Sequence, residues 1–391
     1  MVSILVEDNT RSLKVEGIAS EEWESRKKAE GRRAQHERYD FIDQFRGLTV
    51  LFLAISWITW ELGKMHLVPP IIDHGWQFVN ADNVTWNWLD MENQFYTIID
   101  LGSSLFMFVL GVTIPISFRS KQRKFGTAGA LGRLSIRVGA FIGLQAISDE
   151  FNVNYRGLLL GQDSTLSALG LGTLIGGLSV LLVKNPDKRV FIAIGLMCLH
   201  GTLYLIPDLA VFRHNSGTSI PWMGSGTFFD AYMIPFELMS FGAISIMGTC
   251  FWDWFNKENP VEAIKKRHLP VAAYSLVFCF VIMWFIPFEH HDLSVSQDLL
   301  AIAAGYFLLV LFFSMEYIFK FKLPLLTPMG RNALILYIVG VIPGTLLGDL
   351  GLFNLLTPQV AWFGLVLCAF SIALVGFVGW MLDKKKIYLR I

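Results

Sequence analysis

Polar and apolar positions alternate along this chain in long blocks, with little fine periodicity. After a polar start, ten apolar runs follow at about 44–62, 97–118, 130–148, 164–183, 190–207, 227–252, 269–288, 299–319, 329–348 and 358–382. Each is near the ~20 residues that an α-helix needs to cross a bilayer. The pattern predicts an all-α integral membrane protein of about ten transmembrane helices. It divides the chain into a charged tail (1–40), a polytopic domain (41–383) and a short basic tail (384–391).

The polar connections fix an expected orientation. One set collects Lys and Arg: the N-terminal tail with eight of them, Arg119–Lys124 with Arg133 and Arg137, Lys184–Arg189, Lys257–Arg267, Lys320–Lys322 and Lys384–Arg390. The other set has only Lys64, Arg156 and Arg213 as basic residues, and is rich in Asp and Glu. By the positive-inside rule the first set is cytoplasmic, and so are both termini. An even number of spans satisfies this asymmetry.

Composition agrees. Of 391 residues, 53% are hydrophobic and only 16% charged, against roughly 25% charged in soluble domains. The zero net charge identifies no partner. All four cysteines (Cys198, Cys250, Cys279, Cys368) lie in or beside apolar runs, without metal-ligand spacing; they read as small packing residues. Residues 1–40 have no apolar core of the signal-peptide kind.

Charged residues close to lipid usually face a protein interior or a wet cavity. Asp43 and Arg46 open the first span at a spacing of three, so they share a helix face. They form either an interfacial ion pair or a corner that binds phosphate or pantetheine. Asp100 opens the second span. It either caps that helix and complements its dipole or assists a general base. Asp230 and Glu237, one face of the sixth run, either line a cavity or pair with groups such as Arg213. In the loop 63–96, Trp76, Trp86 and Trp88 sit away from both span ends, among Asp, Asn and His. They offer stacking faces for sugar rings or pack as a lid. His74 is in the same loop. His290 and His291 lie between Glu289 and Asp292 without recognisable ligand spacing, so no metal is expected. Pro115 predicts a kink in the second span. His66 and His200 read as interfacial, close to span ends.

Three stretches together carry a family resemblance. Asp43-x-Phe45-Arg46-Gly47 opens the first span. Asp100-Leu-x4-Phe106-x-Phe108-x2-Gly111-x-x-Ile-Pro-x-Ser fills the second. Pro328-x-Gly330-x-Asn332-Ala-Leu-x-x-Tyr337 lies in the ninth. In order and spacing the combination resembles the heparan-α-glucosaminide N-acetyltransferase family. The resemblance implies a membrane acyltransferase that takes an acetyl or other acyl group from acyl-CoA on the cytoplasmic side. It delivers the group to a glycan amine or hydroxyl on the opposite side.

Carried across, Asp43 and Arg46 belong to the cofactor corner, and Asn332 lines the central cavity. Arg119, Arg123, Lys124 and Arg331 are the expected phosphate contacts, because guanidinium groups suit bidentate phosphate binding. The family's loop histidine corresponds to Asp90 here, and the nearest loop histidine is His74. His74, Asp90 and Asp100 are therefore the catalytic candidates. Trp76, Trp86, Trp88, Asp230 and Glu237 are the acceptor-binding candidates. Acetyl-CoA or another acyl-CoA is the expected co-substrate. The expected partners are the bilayer, of a plasma or inner membrane, and a carbohydrate acceptor. No nucleic acid is expected, and a homodimer is left open. The alternative is a non-catalytic or transport protein on the same scaffold, such as a carrier of a solute or lipid-linked sugar.

Overall fold

The structure is a computed structural model that describes residues 39–63, 99–150, 165–205, 236–286, 288, 293–340 and 361–388. The described chain is helical, without strands. α1 spans Asp40–Gly63 and α2 Gly102–Glu150; α3 is Thr165–Leu182, α4 Pro186–Leu205 and α5 Phe236–Lys257. The short α6 (Pro260–Ala263) passes through a π-turn (Ile264–His268) into α7 (Leu269–Ile282). α8 is Val295–Tyr317, α9 is the short Leu326–Arg331 and α10 is Ala361–Lys384. A further helical run covers 333–340.

Among the described residues, three stretches are long and apolar enough to cross a membrane: Gly102–Leu144, Val295–Tyr317 and Leu365–Lys384. The outward faces agree with a lipid surrounding. Val277, Phe278, Phe280 and Trp284 on and after α7 are more than half exposed, as are Trp362, Phe370 and Phe377 on α10. Apolar surface on this scale belongs against lipid or another protein. Polar side chains such as Thr49, Thr173, Ser245 and Ser371 are instead buried.

α2 breaks at Gly126, where φ is 70° and ψ 179°. Only glycine adopts that backbone cheaply, so one residue joins two helical halves. The expected kink at Pro115 is not where the backbone departs from helix; Pro115 lies inside the first half.

The core is an aromatic column. Phe41, Phe45, Phe108, Phe251, Phe255 and Tyr306 are fully or almost fully buried, and Phe313 and Tyr317 flank them. Their rings meet mostly edge-on or tilted, for example Phe255 with Phe313 at 5.1 Å and 85°, the arrangement that ring quadrupoles prefer. Around this column glycines bring backbones together. A Cβ on Gly111 would overlap the Ser245 carbonyl oxygen, and one on Gly248 would overlap that of Phe108. Small residues serve such close crossings in membrane bundles. The four cysteines are free thiols, three of them buried, as expected for packing residues.

Candidate functional site

One end of the bundle holds a knot of charge built from four distant pieces of chain. α1 brings Asp40, Asp43 and Arg46. α9 brings Arg331 and ends at Asn332, whose φ of −119° and ψ of 27° leave the helix. The two elements touch backbone to backbone. A Cβ on Gly47 would overlap the Leu326 carbonyl oxygen, and one on Gly330 would overlap that of Asp43.

Arg46 fastens the junction. Its Nη1 donates to Asp43 Oδ1 at 3.1 Å and to the Gly330 carbonyl at 3.1 Å. Arg331 donates to Asp40 Oδ1 at 3.1 Å and to Asp383 Oδ1 at 3.0 Å, and its Nε lies 3.8 Å from Asp43 Oδ2. Lys322 donates to Asp40 Oδ2 at 2.7 Å and pairs with Glu316 at 3.1 Å. Tyr388 donates to Asp383 at 2.9 Å. Burial works to raise the Asp40 carboxyl, but hydrogen bonds and charge from Lys322 and Arg331 outweigh it and hold the group below its usual range. Burial likewise works to lower Lys322, yet Asp40 and Glu316 leave it raised.

One feature of the knot points to a ligand. Asn332 is only 2% exposed, and among the described residues neither its Oδ1 nor its Nδ2 has a hydrogen-bond partner. An unsatisfied buried amide costs about 1–3 kcal/mol. In addition, half-buried Arg137, from the second half of α2, is near enough to Arg46 for like-charge repulsion.

Arg119 is elsewhere. It forms a two-pronged contact with Asp253 of α5, with Nη2 at 2.6 Å from Oδ2. Arg189 of α4 reaches the same carboxylate and also donates to Thr249 Oγ1 at 2.6 Å. Arg189 and Asp253 have no exposure. Arg123 and Lys124 lie one turn beyond Arg119 and are exposed. Of the expected phosphate contacts, then, only Arg331 joins Asp43, Arg46 and Asn332.

The other end of the bundle holds several buried polar groups. Asp100 sits in the turn before α2 and is 2% exposed. Ser240 of α5 meets His200 Nδ1 of α4 at 2.9 Å and Asp298 Oδ2 of α8 at 2.9 Å. Its Oγ is also 2.7 Å from the Leu293 carbonyl oxygen. Gln297 of α8 donates to Ser104 of α2 at 3.4 Å, and Ser294 and Ser296 join at 2.9 Å. Sequence reading did not single out Ser240 or Asp298, and it assigned His200 to an interface. Ser294-x-Ser296-Gln297-Asp298 just before an apolar run was the available signal. Nothing in the spacing linked it to His200 or Ser240.

His74, Asp90, Trp76, Trp86, Trp88 and Asp230 lie outside the described residues, as does the Glu237 side chain on α5. Among the described residues, no group of three or more His, Cys, Asp or Glu side chains is placed to hold a metal. No family model matches the chain, and no curated protein matches it.

Proposed function

We propose that the chain is a ten-span transmembrane acyltransferase with both termini cytoplasmic. It transfers an acetyl or other acyl group from acyl-CoA to a sugar acceptor at the opposite face. One observation carries this reading: the first-span motif and the late Gly-x-Asn motif, 284 residues apart, meet at Arg46 and the Gly330 carbonyl. Two motifs of one resemblance, in direct contact around an unsatisfied amide, behave as parts of a single site.

In this reading the CoA phosphates lie against Arg46 and Arg137, and the Asn332 amide serves a carbonyl of the acyl-pantetheine arm. The arm carries the thioester into the bundle. His74 takes the proton of the attacking sugar hydroxyl or amine, with Asp100 orienting it, and Asp90 stands at the family's histidine position. Trp76, Trp86 and Trp88 stack on the acceptor, with Asp230 and Glu237 beside it. The experiment is transfer of labelled acetyl from acetyl-CoA to a panel of amino sugars by the purified protein in liposomes. Labelled sugar supports the reading. Absence of both labelled sugar and labelled protein across the panel contradicts it. General-base assistance is worth roughly 10²–10⁴-fold, so His74→Ala reduces transfer by that factor.

A second reading, a carrier or non-catalytic protein, draws on one specific observation. Arg46, Arg119 and Arg331 are all engaged with carboxylates of the chain itself. Solute uptake into liposomes without acyl transfer is its signature.

A further inference from the structure

We infer that Ser240, His200 and Asp298 form a proton-binding centre at the end of the bundle opposite the charged knot. The inference stands independently of acyl transfer. A serine hydroxyl has one proton to donate and two lone pairs to accept with. Ser240 Oγ has three neighbours within hydrogen-bond distance: the Leu293 carbonyl oxygen at 2.7 Å, Asp298 Oδ2 at 2.9 Å and His200 Nδ1 at 2.9 Å. The carbonyl can only accept, so the closest contact takes the hydroxyl proton. The other two neighbours must then donate. His200 does so from Nδ1–H, and Asp298 does so only as a protonated carboxylic acid. Were Asp298 a carboxylate, two oxygens of this group would face one another without a proton between them.

The surroundings agree with the count. Ser240, His200 and Asp298 are each 0% exposed. Isolated buried carboxylates neutralise in preference to remaining charged. Asp298 Oδ1 has no hydrogen-bond partner among the described residues, which a carbonyl oxygen tolerates far better than a carboxylate oxygen. Few titratable groups lie at this end of the packed helices; Asp253 of α5 and Glu316 of α8 are more than three turns further along. α4 supplies His200, 4.0 Å from Asp298 Oδ2. Asp100 precedes α2, and α5 carries Glu237.

The order of groups also excludes a nucleophilic serine. In a hydrolase triad the imidazole lies between hydroxyl and carboxylate. Here the hydroxyl lies between the other two, with its proton committed to a main-chain oxygen. The arrangement stores and passes a proton, the task for which acid and histidine groups are retained inside membrane proteins.

Infrared difference spectroscopy on the purified protein tests this. The wild type shows the C=O stretch of a protonated carboxyl that exchanges with deuterium, and Asp298→Asn removes that band. Asparagine keeps a donor to Ser240, so its melting temperature stays within about 3 °C of wild type. In Ser240→Ala the band persists but shifts, because the acid loses its acceptor; this variant reads the same assignment should Asp298→Asn fail to fold. No band assignable to Asp298, or one that never exchanges in the folded protein, overturns the inference. A collapse in melting temperature of Asp298→Asn with no band in the wild type marks an ion pair with His200 instead.

Discussion

The two ends of the bundle treat polar groups in opposite ways. The α1–α9 knot gathers full charges with partial access to solvent; Arg46, Asp40, Lys322 and Arg331 retain 20–46% side-chain exposure. The Ser240 centre gathers hydroxyl, imidazole and carboxyl with none. Eighteen residues of α8 separate Asp298 from Glu316, the partner of Lys322 in the knot, about 27 Å of helix. At the knot the charges keep contact with water, whereas the Ser240 centre relies on hydrogen bonding without it. A charged reactant has an electrostatic reason to dock at the first end, and proton movement has a dry place to pause at the second.

Disturbing Asp253 is expected to have the largest effect. Asp253→Ala leaves Arg189 fully buried with its main partner gone, and breaking such a pair costs about 3–5 kcal/mol. Loss of folded protein on size-exclusion chromatography measures it. The contrast between the ends sharpens if Asp253→Asn, which retains an acceptor for Arg189, recovers part of the yield.

Gly330→Ala comes next. Its methyl collides with the Asp43 carbonyl and forces α9 off α1, an overpacking cost of about 1–3 kcal/mol. Acetyl-CoA binding should fall with it while the infrared signature of the Ser240 centre persists. Loss of both would show that the ends are not separable.

This junction was readable in part. Asp43, Arg46, Gly330 and Asn332 stood out because charges and glycines interrupt apolar runs, and the resemblance grouped them. Their contact partners were not readable. Asp40, Lys322 and Asp383 look like ordinary boundary charges, and only the fold brings them to Arg331. Arg119 was grouped with the phosphate contacts because it opens a basic run, yet its carboxylate partner lies 134 residues away. The helical character followed from the long apolar blocks. The break at Gly126 did not, because a proline carries a stronger local signal than one glycine among several.

Smaller effects belong to the exposed side of the knot. Lys322→Met removes ion pairs to Asp40 and Glu316. The partly exposed pair with Asp40 is worth about 0.2–1 kcal/mol, and a melting curve in high salt should narrow that part of the difference from wild type, while the part due to the buried Glu316 carboxylate should persist. Acid gives the smallest and most specific signal. Asp40 titrates below its ordinary value of 3.8, so its contribution to stability is present above that pH and lost as pH falls through the lower folded value. Asp40→Asn should flatten the acid limb of the melting-temperature profile.

Calorimetric titration of acetyl-CoA into the purified protein, wild type against Asn332→Ala, tests the central claim most directly. If the α1–α9 junction is the acyl-CoA site, the wild type binds and the variant binds at least about tenfold more weakly, the equivalent of roughly 1.4 kcal/mol for one lost hydrogen-bonded amide. Equal affinity in the two proteins, or no binding by a folded wild type, contradicts the account.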